Sequence, residues 1–363
     1  MAFDRKKILK FFTWKRLLFP VLLGLGVAIW LTIDSFEIDA FKSIHWGFGA
    51  FVAFTVALLL QAMRDFAYMI RIKVLTDNQL TWRQSFQVIM MWEFASALTP
   101  SIVGGSAVAL FIVAQEGISP GRSTAIVLIT AFLDEMFYLI MVPIIVIVVG
   151  FDHLFDTERS ANFLGMQLGI KSLFYVGYVL ILVLNCFIAY GIFINPKGLK
   201  KILGGLFSLK FLRKWKPQAI QAGDDIITTS KEMRKKPFMF WIKTGGATFL
   251  SWTSRFLVVN FLILAIGGSG NQWFIYAKQL VMWIILMISP TPGASGVAEY
   301  FFSDFLGAFI PHGLSSAIAI LWRLMSYYVY LILGLIVLPL WLRRVFSRRH
   351  LKRIQEQQQE QEL

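Results

Sequence analysis

One cysteine in 363 residues, Cys186 in an apolar run, leaves nothing for an intramolecular disulfide or a cysteine-ligated metal. Histidine is almost as scarce. His45, His153, His312 and His350 fall in connecting segments or at the ends of apolar runs, which argues against a buried histidine catalyst. There is no P-loop, no H-E-x-x-H and no G-x-S-x-G, and no motif calls for a cofactor or a metal. "DHLFD" at 152–156 has carboxylates four apart, as a metal or diphosphate site would, but a solvated acidic loop explains it better. The stretch KRLLFPVLLGLGVAIWLTI lacks the small-residue cleavage pattern of a signal peptide and reads as a retained first span.

Charge is the other shortage. Only 15% of residues are charged against 57% hydrophobic, too apolar for a soluble domain of this size. Several runs approach or exceed the ~20 apolar residues that cross a bilayer core. Acids are outnumbered, 21 to 35, for a net charge of +14. The excess base sits near the N-terminus (Arg5, Lys6, Lys7, Lys10, Lys15, Arg16), in a central segment, and in the C-terminal tail (Arg343, Arg344, Arg348, Arg349, Lys352, Arg353). Those are the flanks of membrane spans, where the positive-inside rule accounts for them and no nucleic-acid partner is needed.

Loop charge sets the threading. With the N-terminus in the cytoplasm, full spans are expected at about 17–33, 47–72, 124–149, 173–194, 238–266 and 314–342. Segment 195–237 is a basic cytoplasmic loop with eleven Lys/Arg against Asp224, Asp225 and Glu232. The tail 343–363 is polar and also cytoplasmic. Two further apolar segments, 85–116 and 276–309, are interrupted by "LTPSIVGGSAV" and "SPTPGASGVAE". Their limbs are short for a ~30 Å core, so they read as re-entrant hairpins entering from opposite faces. Ten full spans satisfy the same parity. The expected fold is an all-α polytopic membrane protein: one integral domain over 1–363, about six spans plus two hairpins, in a cytoplasmic (inner) membrane.

The second break repeats the first. Thr99-Pro100 and Gly104 recur as Thr291-Pro292 and Gly296 at an offset of 192, as do Ala125-Ile126 with Ala317-Ile318 and Tyr138-Leu139-Ile140 with Tyr330-Leu331-Ile332. Upstream the offset is 191, pairing Arg64 with Arg255 and Met91-Trp92 with Met282-Trp283. The repeats, about 47–150 and 238–342, begin on opposite sides of the membrane and are therefore inverted, an arrangement that puts the working site at the repeat interface.

At the tips, Gly104-Gly105-Ser106 and Gly293 to Gly296 are expected to open half-helices whose free N–H groups suit an anion such as a lipid phosphate, with Thr99, Pro100, Thr291 and Pro292 shaping the breaks. Intramembrane charges are costly unless paired or wet. Arg255 is the candidate for a phosphate. Arg64 either contributes or snorkels, and Glu93 and Glu299 are handles for an amine headgroup or a proton. Asp134 or Glu135 facing Arg323 across the pseudo-twofold is expected as a structural or gating ion pair.

"ALTPSIVGGSAVALFIVAQEGIS" and the more specific P-T-P-G-x-x-G-x-x-E of Pro290 to Glu299 resemble the lysylphosphatidylglycerol synthase transmembrane-region family, over nearly the whole chain. That resemblance implies a flippase-like lipid translocase, with Gly104, Gly105, Gly293, Gly296 and Glu299 at family glycine and Glu positions. Many members have G-G-E-x-x-R in the first motif; Ser106 and Ala109 stand there instead, so a different headgroup is implied. The polar tail leaves no room for the fused aminoacyltransferase. The reading is a translocase whose partners are membrane lipids with anionic or zwitterionic headgroups. The rivals are a lipid-modifying transferase using Asp134, Glu135 or Glu299, and a subunit that docks a separate lipid-modifying enzyme on the basic loop. Oligomerisation stays open.

Overall fold

The computed structural model describes residues 46–99, 101–155, 160–163, 166–208, 216–289 and 296–361, with single positions at 26, 42, 44, 213 and 294. The expected span at 17–33 therefore lies outside the described residues except at one position. The helices are α1 (Phe48–Leu75), α2 (Trp82–Leu98), α3 (Ser101–Gln115), α4 (Pro120–Val149), α5 (Ile170–Ala189), α6 (Pro196–Leu206), α7 (Lys216–Met233), α8 (Phe238–Ala265), α9 (Gln272–Met287), α10 (Val297–Leu306), α11 (Ser315–Arg323) and α12 (Val329–Gln361). Among the described residues, five stretches are long and apolar enough to cross a membrane: Phe48–Leu75, Gly121–Val149, Ile170–Ile194, Phe238–Ala265 and Ser315–Ser347. They coincide with the second to sixth expected spans.

Local chemistry sets the boundaries. Thr81 opens α2 with a reciprocal cap: its hydroxyl accepts the Gln84 N–H at 3.3 Å, and the Gln84 side-chain oxygen accepts the Thr81 N–H at 2.8 Å. Pro120 starts α4 at the one position where a missing N–H costs nothing. The α2 helix stops because Thr99 precedes a proline, which drives it out of the helical region to φ −106°, ψ 138°. Asn271 caps α9 by accepting the Trp273 N–H at 2.9 Å. Gly296, just before α10, takes a left-handed φ of 82° that a side chain would resist.

The broken segments are helix pairs, α2–α3 and α9–α10. With 17 and 15 residues, α2 and α3 are about 25 and 22 Å long, shorter than a ~30 Å core. They approach closely at Gly105, where a Cβ would lie 2.2 Å from Ser96 Oγ and 3.0 Å from Ser96 Cα. Because the second contact is backbone, rotating Ser96 away is not enough. Gly105→Ala should therefore cost about 1–3 kcal/mol, read as a lower unfolding midpoint in detergent; an unchanged midpoint would show that α2 and α3 separate freely.

The densest helix contact joins α1 to α8, where Ser251 Oγ donates to the Arg64 carbonyl at 3.2 Å. Large apolar side chains point outward elsewhere, among them Leu59, Ile147, Val183 and Ile336. A continuous apolar exterior of that kind is suited to lipid. One expectation is corrected and two details are added. The basic segment 195–237 is not a plain loop: α6 and α7 pack on each other and α7 packs on α4, burying Leu199, Ile226 and Met233. The fold is all-α as expected, with one short antiparallel pair, Ser160–Phe163 and Met166–Gly169, in the connection after α4. The polar tail is helical, as α12 runs on to Gln361.

Among the described residues, buried apolar side chains form two clusters. One gathers Phe137, Tyr138, Trp252, Phe256, Leu280, Ile284 and Phe302. The other gathers Tyr68, Ile72, Met91, Phe94, Ile112, Tyr327 and Trp341. Polar residues gather where the two meet.

Candidate functional site: a charged cavity between the helix pairs

A cavity of about 300 Å³ opens there, walled by residues of both clusters. From α1 it takes Tyr68 and Arg71, from α2 Trp92, Glu93 and Ser96, and just past the end of α2 Thr99. Helix α3 adds Ser106, and α4 adds Thr130, Asp134, Glu135 and Tyr138. Trp252 and Arg255 come from α8, Trp283 from α9, and Arg323, Tyr327 and Tyr330 from the α11–α12 region. Arg323 and Tyr330 lie to either side of a widened turn, Leu324–Tyr328, which contains Tyr327 and is of the kind that recurs at functional sites. Asp134 and Glu135 sit at the middle of the 30-residue α4. Both members of the repeat-related pairs Trp92/Trp283 and Tyr138/Tyr330 line this one cavity.

The arginines are held in different ways. Arg64 is 1% exposed, behind the wall. It donates to Asp65 Oδ1 at 2.7 Å, to Glu93 Oε1 at 2.6 Å and to the Tyr330 hydroxyl. Tyr330 in turn donates to Asp65 at 2.7 Å. Arg64 is therefore buried in a network and does not snorkel. Arg71 pairs with Asp134 and donates to Thr248 Oγ1 at 3.1 Å, while Trp252 Nε1 donates to the same carboxylate at 2.8 Å. Arg255 is the least neutralised: its ion pair with Glu93 is 3.8 Å long, and its guanidinium lies over Trp252 and Trp283, 4.6 and 5.1 Å from the ring centroids.

The expected pairing of Arg323 with Asp134 or Glu135 is corrected. Arg323 Nε donates to Glu299 Oε1 at 2.9 Å, and Glu299 Oε2 accepts the Gly296 N–H at 2.7 Å. Glu299 stands three residues into the start of α10, so reaching back to that free N–H aims its other oxygen at Arg323. Asp134 is held by Arg71 instead. Glu299, 3% exposed, has both oxygens engaged and is absent from the cavity wall; it fixes the start of α10.

The expected anion cradle is only partly visible. Pro100, Thr291, Pro292 and Gly293 lie outside the described residues. Helix α3 begins at Ser101, earlier than expected, so Gly104 falls at the end of its first turn and Gly105 and Ser106 lie beyond it. Gly105 serves the close approach to Ser96, and Ser106 faces the cavity. Sequence reasoning missed Arg71, which looked like the start of a basic loop, and the aromatic walls. Tyr138 and Tyr330 served only as register marks; tyrosines recurring in paired apolar spans were the signal available.

Two polar clamps lie at the helix ends away from the cavity. Glu116 is buried, accepting Gln84 Nε2 at 3.0 Å, Trp341 Nε1 at 2.8 Å, and a bond from Arg344. Asp77, in the α1–α2 turn, is paired with Arg122 and lies 2.6 Å from Lys236. Burial pushes the Asp77 carboxyl up, but the hydrogen bonds from Lys236 and Arg122 outweigh it and hold the group below its usual range. A carboxyl so depressed contributes stability above its unfolded value, about 3.9, and loses it as pH falls through the folded value. Asp77→Asn should therefore be less stable than the parent at neutral pH, with the gap closing under acid. Unfolding midpoints across a pH series read this directly, and a gap constant down to pH ~2 would contradict it.

The sequence matches the lysylphosphatidylglycerol synthase TM region family over residues 17–334. A UPF0104 membrane protein of Archaeoglobus fulgidus is 28% identical over 295 residues, covering 77% of this chain and 84% of that one. No solved structure matches the chain. With apolar helices in the expected register and a family match across most of its length, this multi-pass membrane protein belongs to the lysylphosphatidylglycerol synthase transmembrane-region family.

Proposed function

We propose that the protein translocates a polar lipid between the leaflets of a cytoplasmic membrane, the headgroup passing through the charged cavity. The observation that carries this reading is a cavity of about 300 Å³, within the range of small-molecule sites, walled by arginines and carboxylates carried on apolar helices. Charges placed there are expensive in lipid and mark substrate pathways. Arg255, weakly engaged and stacked on two tryptophans, is the phosphate-binding group. Helix pairs α2–α3 and α9–α10 act as re-entrant hairpins from opposite faces. The repeat-related pairs that share one cavity wall support two inverted units rocking about it. Glu93 touches both Arg64, at 2.6 Å, and Arg255, at 3.8 Å, so it links the first helix of each unit.

Purified protein in vesicles carrying a trace of headgroup-labelled phospholipid tests this. A membrane-impermeant quencher should reach only the outer leaflet of protein-free vesicles and nearly all the label when the protein is present. Equal quenching in both would overturn translocation. In cells, both termini are placed in the cytoplasm, so cysteines at Ser208 and Gln358 should resist an external impermeant label while one at Ser160 reacts. External labelling at Ser208 would reject the inverted arrangement.

A further inference from the structure

Helix α6 buries its apolar stripe at one end only. Leu199, Ile202, Leu203 and Leu206 recur at the three- and four-residue spacing of one helix face, with Lys197, Lys200 and Lys201 off it. Leu199 is 1% exposed, whereas Ile202 and Leu206, one turn apart, are each 49% exposed. Lys200 pairs with Asp224 on α7, and Lys197 and Lys201 are exposed. The surrounding segment 195–237 carries eleven Lys/Arg against three acids. An apolar edge on a basic helix is the pattern of a helix that lies in a membrane interface.

The backbone keeps that helix at the bilayer surface. Only Asn195 separates it from the apolar stretch Ile170–Ile194, and α7 returns to within four residues, Arg234 to Pro237, of the start of α8. In a straight helix Leu199 would stand about 12 Å along the axis from Gly191. Instead, a Cβ on Gly191 would collide with Leu199 Cδ2 and lie 3.4 Å from Leu199 Cβ. Helix α6 therefore folds across the end of the span and does not run on out of the membrane. Asn195 makes the bend at φ −140°, ψ 81°, and caps α6 by accepting the Gly198 N–H at 2.7 Å. Two half-exposed apolar side chains make a core far smaller than a standard protein interface of ~800 Å² per partner needs. A bilayer surface, by contrast, is already beside them.

We propose that α6 docks on the anionic phospholipids of the leaflet beside it, Ile202 and Leu206 entering the acyl boundary and Lys197 and Lys201 lying in the field of the headgroup phosphates. In the topology proposed above this is the cytoplasmic leaflet. The surface is separate from the charged cavity and stands whether or not the protein moves lipid.

The test uses the full-length protein with Cys186→Ser and one new cysteine, Ile202→Cys or Lys201→Cys, carrying an environment-sensitive fluorophore. Each labelled protein is placed in nanodiscs of phosphatidylcholine with and without phosphatidylglycerol, and nitroxides on the lipid tails report depth by quenching. The label at position 202 should be quenched, more strongly when phosphatidylglycerol is present, and the label at position 201 should not. Adding Lys197→Gln and Lys201→Gln to the Ile202→Cys protein should lower the docked-to-undocked ratio about fivefold for each charge, the worth of a basic residue at an anionic surface. That loss should appear only in discs that hold phosphatidylglycerol. No quenching at position 202 in either composition overturns membrane docking and returns the exposed face to a protein partner. Equal quenching in both compositions, indifferent to the lysines, overturns the anionic preference. Equal quenching at positions 201 and 202 overturns the orientation of the helix.

Discussion

Glu299→Ala should destabilise the protein by about 3–5 kcal/mol, the range for removing one member of a buried ion pair. Arg323 is 4% exposed, and losing the carboxylate 2.9 Å away takes a counter-charge from a largely buried guanidinium. The substitution also frees the Gly296 N–H at the start of α10, which the same carboxylate accepts. The diagnostic comparison is the double variant. Two charges brought out of water recover little more than their desolvation, so Glu299→Met with Arg323→Met should regain most of the loss. The single and the double variant both lack the Gly296 bond, so the recovery measures the charge pair and not the turn. Unfolding midpoints of the three variants in one detergent decide it. A double variant as unstable as the sum of the singles would mean that Arg323 and Glu299 act separately.

Arg255→Ala should behave in the opposite way, losing transport while remaining folded. Its carboxylate contact is long, 3.8 Å, and its side chain is 15% exposed, so removing it leaves Glu93 with the shorter bond from Arg64. The structural cost is confined to stacking against Trp252 and Trp283, about 0.5–2 kcal/mol for such contacts. A phosphate oxygen bound by that guanidinium loses a charge-assisted hydrogen bond worth about 1.5–3 kcal/mol, roughly 10- to 100-fold in affinity. Lipid movement in vesicles should fall by at least that factor, with the unfolding midpoint nearly unchanged. Movement at the parental rate would remove Arg255 from the phosphate site. Arg64→Ala supplies the contrast, because Arg64 holds Asp65, Glu93 and Tyr330 together behind the wall. Its loss should register first as instability.

What was legible in the sequence is what runs along the chain. Apolar length gave the spans from 47 onward, because crossing a bilayer is a constraint on consecutive residues. The Thr99–Pro100 step marked the end of α2, since a proline restricts the residue before it whatever the tertiary context. Matching offsets of Arg64 with Arg255 and of Tyr138 with Tyr330 put polar groups at corresponding places in two halves, and Arg255 and both tyrosines proved to face the same cavity.

Direction around each helix was not legible. A helix apolar on every side carries no stripe to show which face is buried, so nothing local told Arg71 to turn inward toward Asp134 on α4, or Arg323 to choose Glu299 over Glu135. Those choices were made by packing. The close pairing of α1 with α8 brings Thr248 to Arg71, and the reach of Glu299 back to the Gly296 N–H carries its carboxylate to Arg323. The sequence alone determined that charges would lie within the apolar spans; only the tertiary structure decided which partner neutralises each of them there, because partners come together by packing and not by position along the chain.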